Sequence, residues 1–511
     1  MTEATGKVVQ WYRGRNIFIT GGTGFMGKVL VEKLLYSCED IGNLYILMRP
    51  KRGRSVEQRI DDIWKLPCFS RLREGSPHLK SKIIPIHGDL VTESLGISDA
   101  EMKLLVENVS VVFHCGATLK LEATLKDAIE QNTAGTQRVV DVVKQFSKLD
   151  VFIHMSTAFC SADLEVFEER VYETKDDPRH VIDITRYLRN EILIPITKKL
   201  IEPHPNTYTY SKRLAEVLVA NEADNINVAI VRPSIVTPCG IDPVPGWVDT
   251  LNGPMGLIAA SGKGVLRSMH CKGEYNAHTV PCDVAINALI IIAYKTGSEK
   301  RRDEVPVYNL TNDGVFHITW GEILKFGKEV YYKYPFEQMI WYPDGDMRSC
   351  YFVHWLYCIF THWLPAYLID MLMFIFRQKR FMVRVQQKIH DGLELLQFFT
   401  TRNWKFSSER FLSIHEGLDE REKKTFHINF KIMSVKQYLT HCILGTRQYC
   451  MKEDLKSLPR CRVQQTFMYI LDRGLKLAFY IYIFCTIMNH SEDIIDSMYT
   501  VMMYFATLLN M

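Results

Sequence analysis

The 511-residue chain lacks several features that would assign it to a simple class of protein. Its thirteen cysteines include no Cys-x-x-Cys pair, so the sequence supports neither a metal site nor a dithiol redox motif. It has no long run of Lys and Arg, and a net charge of +4 is too small to indicate a nucleic-acid partner. The N-terminal stretch MTEATGKVVQWYRGR has no apolar signal-peptide core, so we expect most of the chain to face the reducing cytosol.

The composition is that of a folded protein with more than one structural unit. Hydrophobic residues make up 47% of the chain and charged residues 23%, which excludes a mainly disordered protein. A length of 511 residues exceeds what one hydrophobic core usually organises. We therefore expect two or three units.

The most informative N-terminal stretch is NIFITGGTGFMG, at residues 16–27. An apolar strand runs into glycines spaced three apart, and a helical apolar period follows. Glycines let the backbone turn sharply and approach a pyrophosphate, whose charge is stabilised by the helix N-terminus. We predict a dinucleotide-binding turn; the alternative is a tight strand-to-helix turn without a ligand. The predicted cofactor contacts in this turn are Gly21, Thr23, Gly24, Phe25 and Gly27.

Further apolar strands alternate with helical segments such as residues 136–146. This alternation predicts an α/β fold with a doubly wound parallel Rossmann sheet. Residues 161–205 interrupt it as an insertion that is first charged and then helical. The predicted strands after the first lie at 43–49, 82–90, 109–117, 150–157 and 227–236.

The end of the second strand indicates which nicotinamide cofactor binds. An acidic residue there would bind the ribose hydroxyls of NAD, but the chain has Arg49 followed by Lys51, Arg52 and Arg54. A guanidinium can grip a phosphate with two hydrogen bonds, so we predict NADPH; the alternative is a solvated basic loop.

Two later strand ends complete the predicted cofactor site. Asp89 and Leu90 follow the third strand, where they could flank the adenine ring. Gly116 and Ala117 follow the fourth, where they could give the cofactor close passage along the backbone.

The stretch NTYTYSK carries the strongest chemical signal. Tyr208 and Lys212 are four residues apart and so share one helix face, whereas Tyr210 has Leu214 at the corresponding position. A neighbouring ammonium favours the phenolate, so we expect Lys212 to bring the Tyr208 pKa towards neutrality and to hold the nicotinamide ribose. The alternative is one turn of an amphipathic helix with a packed tyrosine and a solvated lysine.

A hydroxyl is also needed to orient the substrate carbonyl. MSTAF, at the end of the fifth strand, supplies Ser156 and Thr157, of which we favour Thr157. Asn132, which opens NTAGT, is predicted to hold a water or the helix geometry near Lys212; the alternative is a helix-capping asparagine.

Long apolar runs characterise the C-terminal part of the chain. Residues 351–376 contain His354, His362 and Asp370 as their only ionisable side chains and are long enough to cross a bilayer. Pro365 interrupts them, and basic residues follow. Two readings stay open: a membrane segment, or a helix hairpin docked on the protein with its polar side chains paired. Runs at 477–488 and 498–511 indicate a membrane-associating tail.

Taken in order, TGGTGFMGK, ILMRP, GDL, NTAGT, MSTAF and YTYSK resemble an extended short-chain dehydrogenase/reductase. VRPSIV, PVPGWVDTLNGP and VPCDVAINA resemble more specifically the alcohol-forming fatty acyl-CoA reductases. So do HWLPAYLID and FFTTRNWKFSSERF, which look like that family's mainly helical C-terminal domain. The resemblance covers roughly residues 11–450.

This resemblance implies an NADPH-dependent enzyme that reduces a long-chain acyl-CoA to a primary alcohol through an aldehyde, in lipid or wax metabolism. It implies a dehydrogenase domain at 11–345, a fatty acyl-CoA reductase domain at 355–450 and a membrane-associating tail at 466–511. An intracellular membrane of the endoplasmic reticulum or peroxisome would suit it, with the catalytic domain in the cytosol. No acyl-enzyme cysteine is required, and Cys115 and Cys160 receive no catalytic role. The alternatives are a sterol or nucleotide-sugar dehydrogenase/epimerase, or a catalytically silent lipid-binding protein. The oligomeric state is not predicted.

Overall fold

A computed structural model describes residues 6–51, 53–299, 304–431, 433–489 and 502–503. Arg52, which was predicted to take part in phosphate binding, and most of the apolar run at 498–511 lie outside the described residues.

The strands are short and spread over the whole described chain. In chain order they are β1 (Asn16–Thr20), β2 (Leu44–Met48), β3 (Ile83–His87), β4 (Val109–His114), β5 (Val151–Met155), β6 (Val166–Phe167), β7 (Val228–Pro233), β8 (Ile235–Thr237), β9 (Ser268–His270), β10 (Thr279–Pro281), β11 (Val307–Leu310), β12 (Asp346–Arg348) and β13 (Lys405–Phe406).

The helices flank these strands and form most of the C-terminal part. They are α1 (Lys7–Tyr12), α2 (Phe25–Ser37), α3 (Val56–Trp64), α4 (Ser70–Gly75), α5 (Asp99–Asn108), α6 (Leu125–Ala128), α7 (Gly135–Val143), α8 (Pro178–Tyr187), α9 (Asn190–Ile201), α10 (Thr207–Ala220), α11 (Pro254–Gly262), α12 (Cys282–Ser298), α13 (Trp320–Lys333), α14 (Tyr351–Cys358), α15 (Leu364–Ile375), α16 (Met382–Thr400), α17 (Glu409–Leu412), α18 (Glu420–Thr425), α19 (Val435–Gly445) and α20 (Leu458–Asn489).

Seven parallel strands form the central sheet in the order β11-β7-β5-β4-β1-β2-β3. Successive side chains of a strand point to opposite faces, so each strand contributes to two cores. Ile17 and Ile19 face the side covered by α2 and α12, whereas Phe18 faces the side covered by α7 and α10. Helices on both faces make the sheet doubly wound, as predicted.

The sequence predicted six of these strands, and each lies within a residue or a few of its predicted range. The edge strand β11 was not predicted. Predicted strand 227–236 is two strands, because the chain leaves the sheet after Pro233 and β8 pairs instead with β10. After Pro233 the chain therefore runs from the central sheet towards the C-terminal part.

The insertion at 161–205 and the C-terminal part meet through a small parallel pair, β6 with β13. Phe167, Trp404 and Phe406 form an aromatic cluster there, with the rings of Phe167 and Phe406 stacked at 4.8 Å. Another parallel pair, β9 with β12, lies beneath α14. The division into domains at 11–345, 355–450 and 466–511 stays a prediction.

Residues Tyr351–Ile375 form one helix, the only one among the described residues that is long and apolar enough to cross a membrane. The expectation that Pro365 interrupts it was wrong, because the helix continues through Pro365, which lies in the first turn of α15 directly after a π-helical stretch. A π-helical stretch, Ile359–Trp363, joins α14 to α15.

A narrow buried stripe attaches this helix to the protein. The stripe repeats every four residues: His354, Cys358, His362, Ala366 and Asp370. An α-helix has 3.6 residues per turn, so the wider π-helical turn helps to keep a four-residue repeat on one face. The three ionisable side chains of the helix are therefore paired with protein, as one reading predicted, while its large apolar side chains remain exposed.

Candidate active site

The predicted glycine turn follows β1 and brings the backbone close to the loop after β4. Gly21 has a φ of +74°, and a Cβ there would lie 2.6 Å from the carbonyl carbon of Cys115. A Cβ at Gly27 would overlap the carbonyl oxygen of Gly21, and one at Gly116 would lie 2.7 Å from Leu90 Cδ1. The turn therefore needs glycine for its own packing, which leaves a bare backbone surface suited to a pyrophosphate.

Helix α2 begins directly after this turn. Its N-cap is Gly24, so no side chain caps its first N–H groups. Thr23 is partly buried, and Phe25 packs on Trp247 at 5.4 Å between ring centroids. Uncapped N–H groups and the positive end of the helix dipole are suited to a phosphate.

The residues predicted to contact the adenosine end lie together at the ends of β2 and β3. Arg49 Nη1 is 2.6 Å from Asp89 Oδ2, and the Arg49 side chain is 64% exposed. Arg138 donates a hydrogen bond of 2.9 Å to the carbonyl oxygen of Leu90 and so fixes the loop in which Asp89 lies. Arg54 pairs instead with Asp62. Ala117, after β4, is partly buried.

Tyr208 and Thr157 meet at the carboxyl edge of the sheet. Thr157 follows β5, Tyr208 lies in the first turn of α10, and the Thr157 side chain lies next to the phenol. Burial raises the Tyr208 pKa to about 12, against a smaller lowering by Thr157. The expectation that Lys212 would bring this pKa towards neutrality was wrong, since desolvation of the phenolate dominates and Lys212 is not among the groups that shift this pKa.

Lys212 lies one turn further along α10 and is buried. Its Nζ donates a hydrogen bond of 2.6 Å to the carbonyl oxygen of Met155, the last residue of β5. Burial lowers the Lys212 pKa to about 8, although the carboxylate of Glu216 opposes this shift. The ammonium also acts on Cys115, beside the glycine turn, so the lysine lies near the loop after β4.

A buried ion pair lies one helical turn beyond Lys212. Glu216 Oε2 lies 2.6 Å from Arg232 Nη2, with both side chains essentially inaccessible. Burial alone would raise the Glu216 pKa, but the charge of Arg232 and its hydrogen bond hold it below its ordinary value. The Ser156 hydroxyl faces this carboxylate and not the phenol, although their geometry falls short of a good hydrogen bond. Thr157 and Ser156 therefore point to different partners.

The two nearby cysteines are not activated. Burial raises the pKa of Cys115 to about 12 and that of Cys160 to about 11. Cys160 Sγ donates to Glu216 Oε1 at 3.2 Å. A thiol that keeps its proton is a poor nucleophile, in agreement with the absence of a predicted role.

Asn132 lies inside a helix, within the π-helical stretch Ile129–Ala134, so the helix-cap alternative was wrong. Its Oδ1 accepts from the N–H of Thr118 at 2.8 Å, and its Nδ2 donates to Ser211 Oγ at 2.9 Å. Ser211 in turn donates to the carbonyl oxygen of Tyr208. Asn132 thus ties the loop after β4 to the catalytic turn of α10.

The structure brings the predicted site residues to one edge of the sheet, although their roles stay proposals. Sequence reasoning missed Ser211, Arg138 and the pair formed by Glu216 and Arg232. Glu216 could have been found, because it lies four residues after Lys212 on the same helix face. The partners of Arg138 and Arg232 depend on tertiary contacts and left no signal in the sequence.

Comparison with known protein families gives matches over both halves of the chain. An NAD-binding family model described as "Male sterility protein" matches residues 19–289, and a second model with the same description matches 361–453.

Curated relatives match over most of their own length. Fatty acyl-CoA reductase 1 of Gallus gallus is 35% identical over 456 residues, which is 89% of this chain and 88% of that protein. The protein of the same name from Homo sapiens is 33% identical over the same shares. A putative fatty acyl-CoA reductase of Drosophila melanogaster, CG8306, is 35% identical over 94% of each chain.

Solved structures agree with the fold. The terminal R domain of the myxalamid PKS-NRPS biosynthetic pathway matches with a TM-score of 0.55 at 17% identity, covering 85% of this chain and 90% of that one. The reductase domain of a Mycobacterium tuberculosis non-ribosomal peptide synthetase also has a TM-score of 0.55, at 16% identity, covering 87% and 95%. At these identities the likeness establishes the fold alone.

Proposed function

The chain belongs to the fatty acyl-CoA reductase family, and we propose that it reduces a long-chain fatty acyl-CoA to a primary alcohol and CoA, using two molecules of NADPH. The observation that carries this proposal is the placement of Tyr208 beside Thr157, with the buried Lys212 one helical turn away. These groups lie at the carboxyl edge of a parallel sheet, where ligands bind in such folds.

The backbone cradle of Gly21, Gly27 and Gly116 fits a dinucleotide, since a Cβ at any of them would meet neighbouring atoms too closely. A nicotinamide cofactor agrees with the NAD-binding family model. We assign NADPH over NADH because the strand β2 is followed by Arg49, Lys51 and Arg54 and not by an acidic residue. When bound, the reduced nicotinamide supplies the hydride for both reductions.

Tyr208 and Thr157 act on the oxygen of the reacting carbonyl. Both can donate hydrogen bonds to it, which stabilises the negative charge that develops there as the carbonyl carbon is reduced. A Tyr208 pKa of about 12 keeps the phenol protonated near neutral pH, so it is ready to give its proton to that oxygen. The raised pKa is therefore suited to reduction.

The first reduction gives a hemithioacetal, whose carbon–sulfur bond then breaks to release an aldehyde and the CoA thiol. In the second reduction the aldehyde oxygen takes the place of the thioester oxygen between Thr157 and Tyr208, and the phenolic proton ends on the alcohol. Lys212 holds the edge of the site through Met155 and supplies a positive charge for the nicotinamide ribose. Asn132 fixes the position of the helical turn that carries Tyr208, through its hydrogen bond to Ser211.

A membrane surface is the proposed place of action. The helix Tyr351–Ile375 exposes large apolar side chains, among them Phe360 and Leu368, and Arg377, Lys379 and Arg380 follow it. The last part of α20, from Leu477 onwards, also exposes its apolar side chains. A basic flank beside an apolar face suits anionic headgroups of an endoplasmic reticulum or peroxisomal membrane.

The sterol or nucleotide-sugar dehydrogenase alternative is not favoured. Such enzymes would share the Rossmann part, but the reductase relatives match through the C-terminal part as well, over 88% of their length. The intact pair of Tyr208 and Lys212 weighs against a silent lipid-binding protein.

The decisive experiment incubates detergent-solubilised protein with stearoyl-CoA and NADPH, and measures NADPH oxidation, free CoA thiol and extracted lipids. We expect octadecanol with two NADPH consumed for each CoA released. If the product were an aldehyde, with one NADPH consumed for each CoA released, the proposed cofactor would stand but the proposed second reduction would be wrong. Turnover of a sterol with none of the acyl-CoA would overturn the proposal.

A further inference from the structure

A large apolar cavity lies outside the catalytic edge, between the Rossmann part and the C-terminal helices. Its volume is about 1460 Å³, including its opening to solvent. Its walls come from α11, α13, α19 and the strand β9, with side chains such as Met255, Met269, Leu324 and Leu439.

The charges around the cavity exclude a nucleotide. None of the described residues that line it is Lys or Arg, and its ionisable groups other than Tyr and Cys are Asp283, Asp346 and His427. The Asp283 carboxylate is already used, since it accepts from the backbone N–H groups of Gly240 and Ile241 at 2.9 and 2.8 Å. Phosphates of CoA or of a dinucleotide would find no cation there, whereas an uncharged hydrocarbon chain suits these walls.

The chain itself connects this cavity to the catalytic residues. The N–H of Ala158, next to Thr157, donates to the carbonyl oxygen of Pro233 at 2.9 Å. From Pro233 the chain continues through β8 to Thr237, which lines the cavity. At about 3.3 Å per residue this path is roughly 13 Å long, within reach of an acyl chain whose carbonyl lies at Thr157.

The side of the cavity formed by β9 leads towards the exposed apolar helix. Leu266, Ser268 and Met269 line the cavity. Ser268 also bonds outward: its N–H donates to His362 Nε2 at 3.1 Å, and its hydroxyl lies 2.9 Å from His354 Nδ1. One short strand therefore lies between the cavity and the helix proposed to contact lipid.

We propose that this cavity holds the hydrocarbon chain of the acyl substrate and that Gly327 on α13 sets the length of chain it accepts. The proposal rests on the acyl-CoA reduction proposed above. Gly327 lines the cavity, and apart from the backbone of its own helix the only neighbour within 4 Å of a Cβ placed there is Tyr331 Cε2, at 4.0 Å. A larger side chain would therefore enter the cavity without meeting the backbone of another segment.

Gly327→Leu tests this inference without threatening the fold, because leucine favours a helix more than glycine does. The matched control is Gly392→Leu, in the middle of α16, where a Cβ meets nothing within 4 Å and which does not line this cavity. Both variants gain the same side chain in a helix, but only Gly327→Leu places it in the cavity.

Two measurements are made on the native protein and both variants. The first is kcat/KM for stearoyl-CoA and lauroyl-CoA; the second is the binding of cis-parinaric acid, a fluorescent long-chain fatty acid. We expect Gly327→Leu to lower the ratio of stearoyl-CoA to lauroyl-CoA activity by about tenfold, because each excluded methylene loses apolar contact. We also expect it to weaken cis-parinaric acid binding by a similar factor, while Gly392→Leu changes neither.

An unchanged ratio together with unchanged fatty-acid binding in Gly327→Leu would overturn the inference while leaving acyl-CoA reduction intact. If the native protein reduced no acyl-CoA, the proposed function would fail, and the binding measurement would still decide the cavity. Weaker binding in Gly327→Leu would then support a hydrocarbon site, and equal binding would reject it.

Discussion

Arg49 and Asp89 form an ion pair, with 2.6 Å between Nη1 and Oδ2, at the end of the site assigned to the adenosine of the cofactor. The sequence predicted each of them as a cofactor contact, and neither as the partner of the other. An exposed ion pair of this kind adds little to the free energy of unfolding, so we interpret it by its position in the proposed cofactor site. In the proposed complex with NADPH, Asp89 holds the Arg49 guanidinium where the 2′-phosphate would also bind it.

Arg49→Ala should therefore raise the KM for NADPH by about tenfold or more, because charge-assisted hydrogen bonds to a phosphate are lost. The KM for NADH should stay within about twofold. Steady-state kinetics with both cofactors checks this. Arg13→Ala is the control, since Arg13 forms a similarly exposed pair with Asp40 away from the site. An equal loss for NADPH and NADH would count against a role in selecting the phosphate.

Tyr208→Phe removes the proton donor while keeping the ring. We expect kcat to fall by about 10²–10⁴, the usual effect of losing a general acid, with NADPH binding unchanged. Tyr210→Phe is the matched control: Tyr210 donates to Asp176 Oδ2 at 2.8 Å and not to the site. Its loss should cost about 1 kcal/mol of stability and leave turnover intact. Single-turnover kinetics and cofactor fluorescence separate these effects, and full activity of Tyr208→Phe would refute the mechanism.

His154, in the centre of β5, should make the protein sensitive to acid. Both of its ring nitrogens are buried without a hydrogen-bond partner. Burial first, then the positive charge of Lys212, holds its pKa well below the ordinary 6.5. Below about pH 6.5 this histidine is protonated in the unfolded chain but stays neutral in the folded chain. The free energy of unfolding therefore falls as the pH falls.

His154→Leu should reduce the slope of the free energy of unfolding against pH by about 1.4 kcal/mol per pH unit below pH 6. This is the slope that the uptake of one proton on unfolding produces. His114 has a pKa lowered to about 3, chiefly by burial, and should retain a similar contribution in the variant. Urea unfolding between pH 5 and 8 measures the slope. The exposed His78→Leu serves as control, and an unaltered slope in His154→Leu would contradict the prediction.

Phe360→Glu and Leu368→Glu place a carboxylate on the exposed apolar face of the helix Tyr351–Ile375. We expect each to weaken binding to vesicles of anionic phospholipid by about tenfold, since a charged side chain is costly in the apolar part of a bilayer. Co-sedimentation with vesicles provides the measurement. Ile194→Glu on α9 is the control because Ile194 is 62% exposed, like Phe360 at 63%. Equal loss in all three variants would indicate a general effect of charge.

The sequence could place the proposed catalytic residues on shared elements because their spacing is local. Tyr208 and Lys212 share a helix face through a four-residue separation, and the glycine turn follows directly from β1, so short-range geometry brings each set together. The buried stripe of the helix at 351–375 was also visible in part, since its three ionisable residues were the exceptions in an apolar run.

The pKa values were not predictable in the same way. The spacing predicted an ammonium near a phenol, but it could not tell that burial would raise the Tyr208 pKa to about 12 and lower that of Lys212 to about 8. Desolvation depends on every atom packed around a group, including those from distant segments.

The sequence by itself determined the parallel sheet and the glycine turn, and it predicted Tyr208 and Lys212 as a pair on one helix face, because periodicity, glycine spacing and helix register act over a few residues. Tertiary structure decided the pairing of Arg49 with Asp89, the burial of Glu216 against Arg232 and the cavity lined by Gly327. Each of these joins different secondary-structure elements or loops. Their distances follow from how the helices pack on the sheet, which no local pattern encodes.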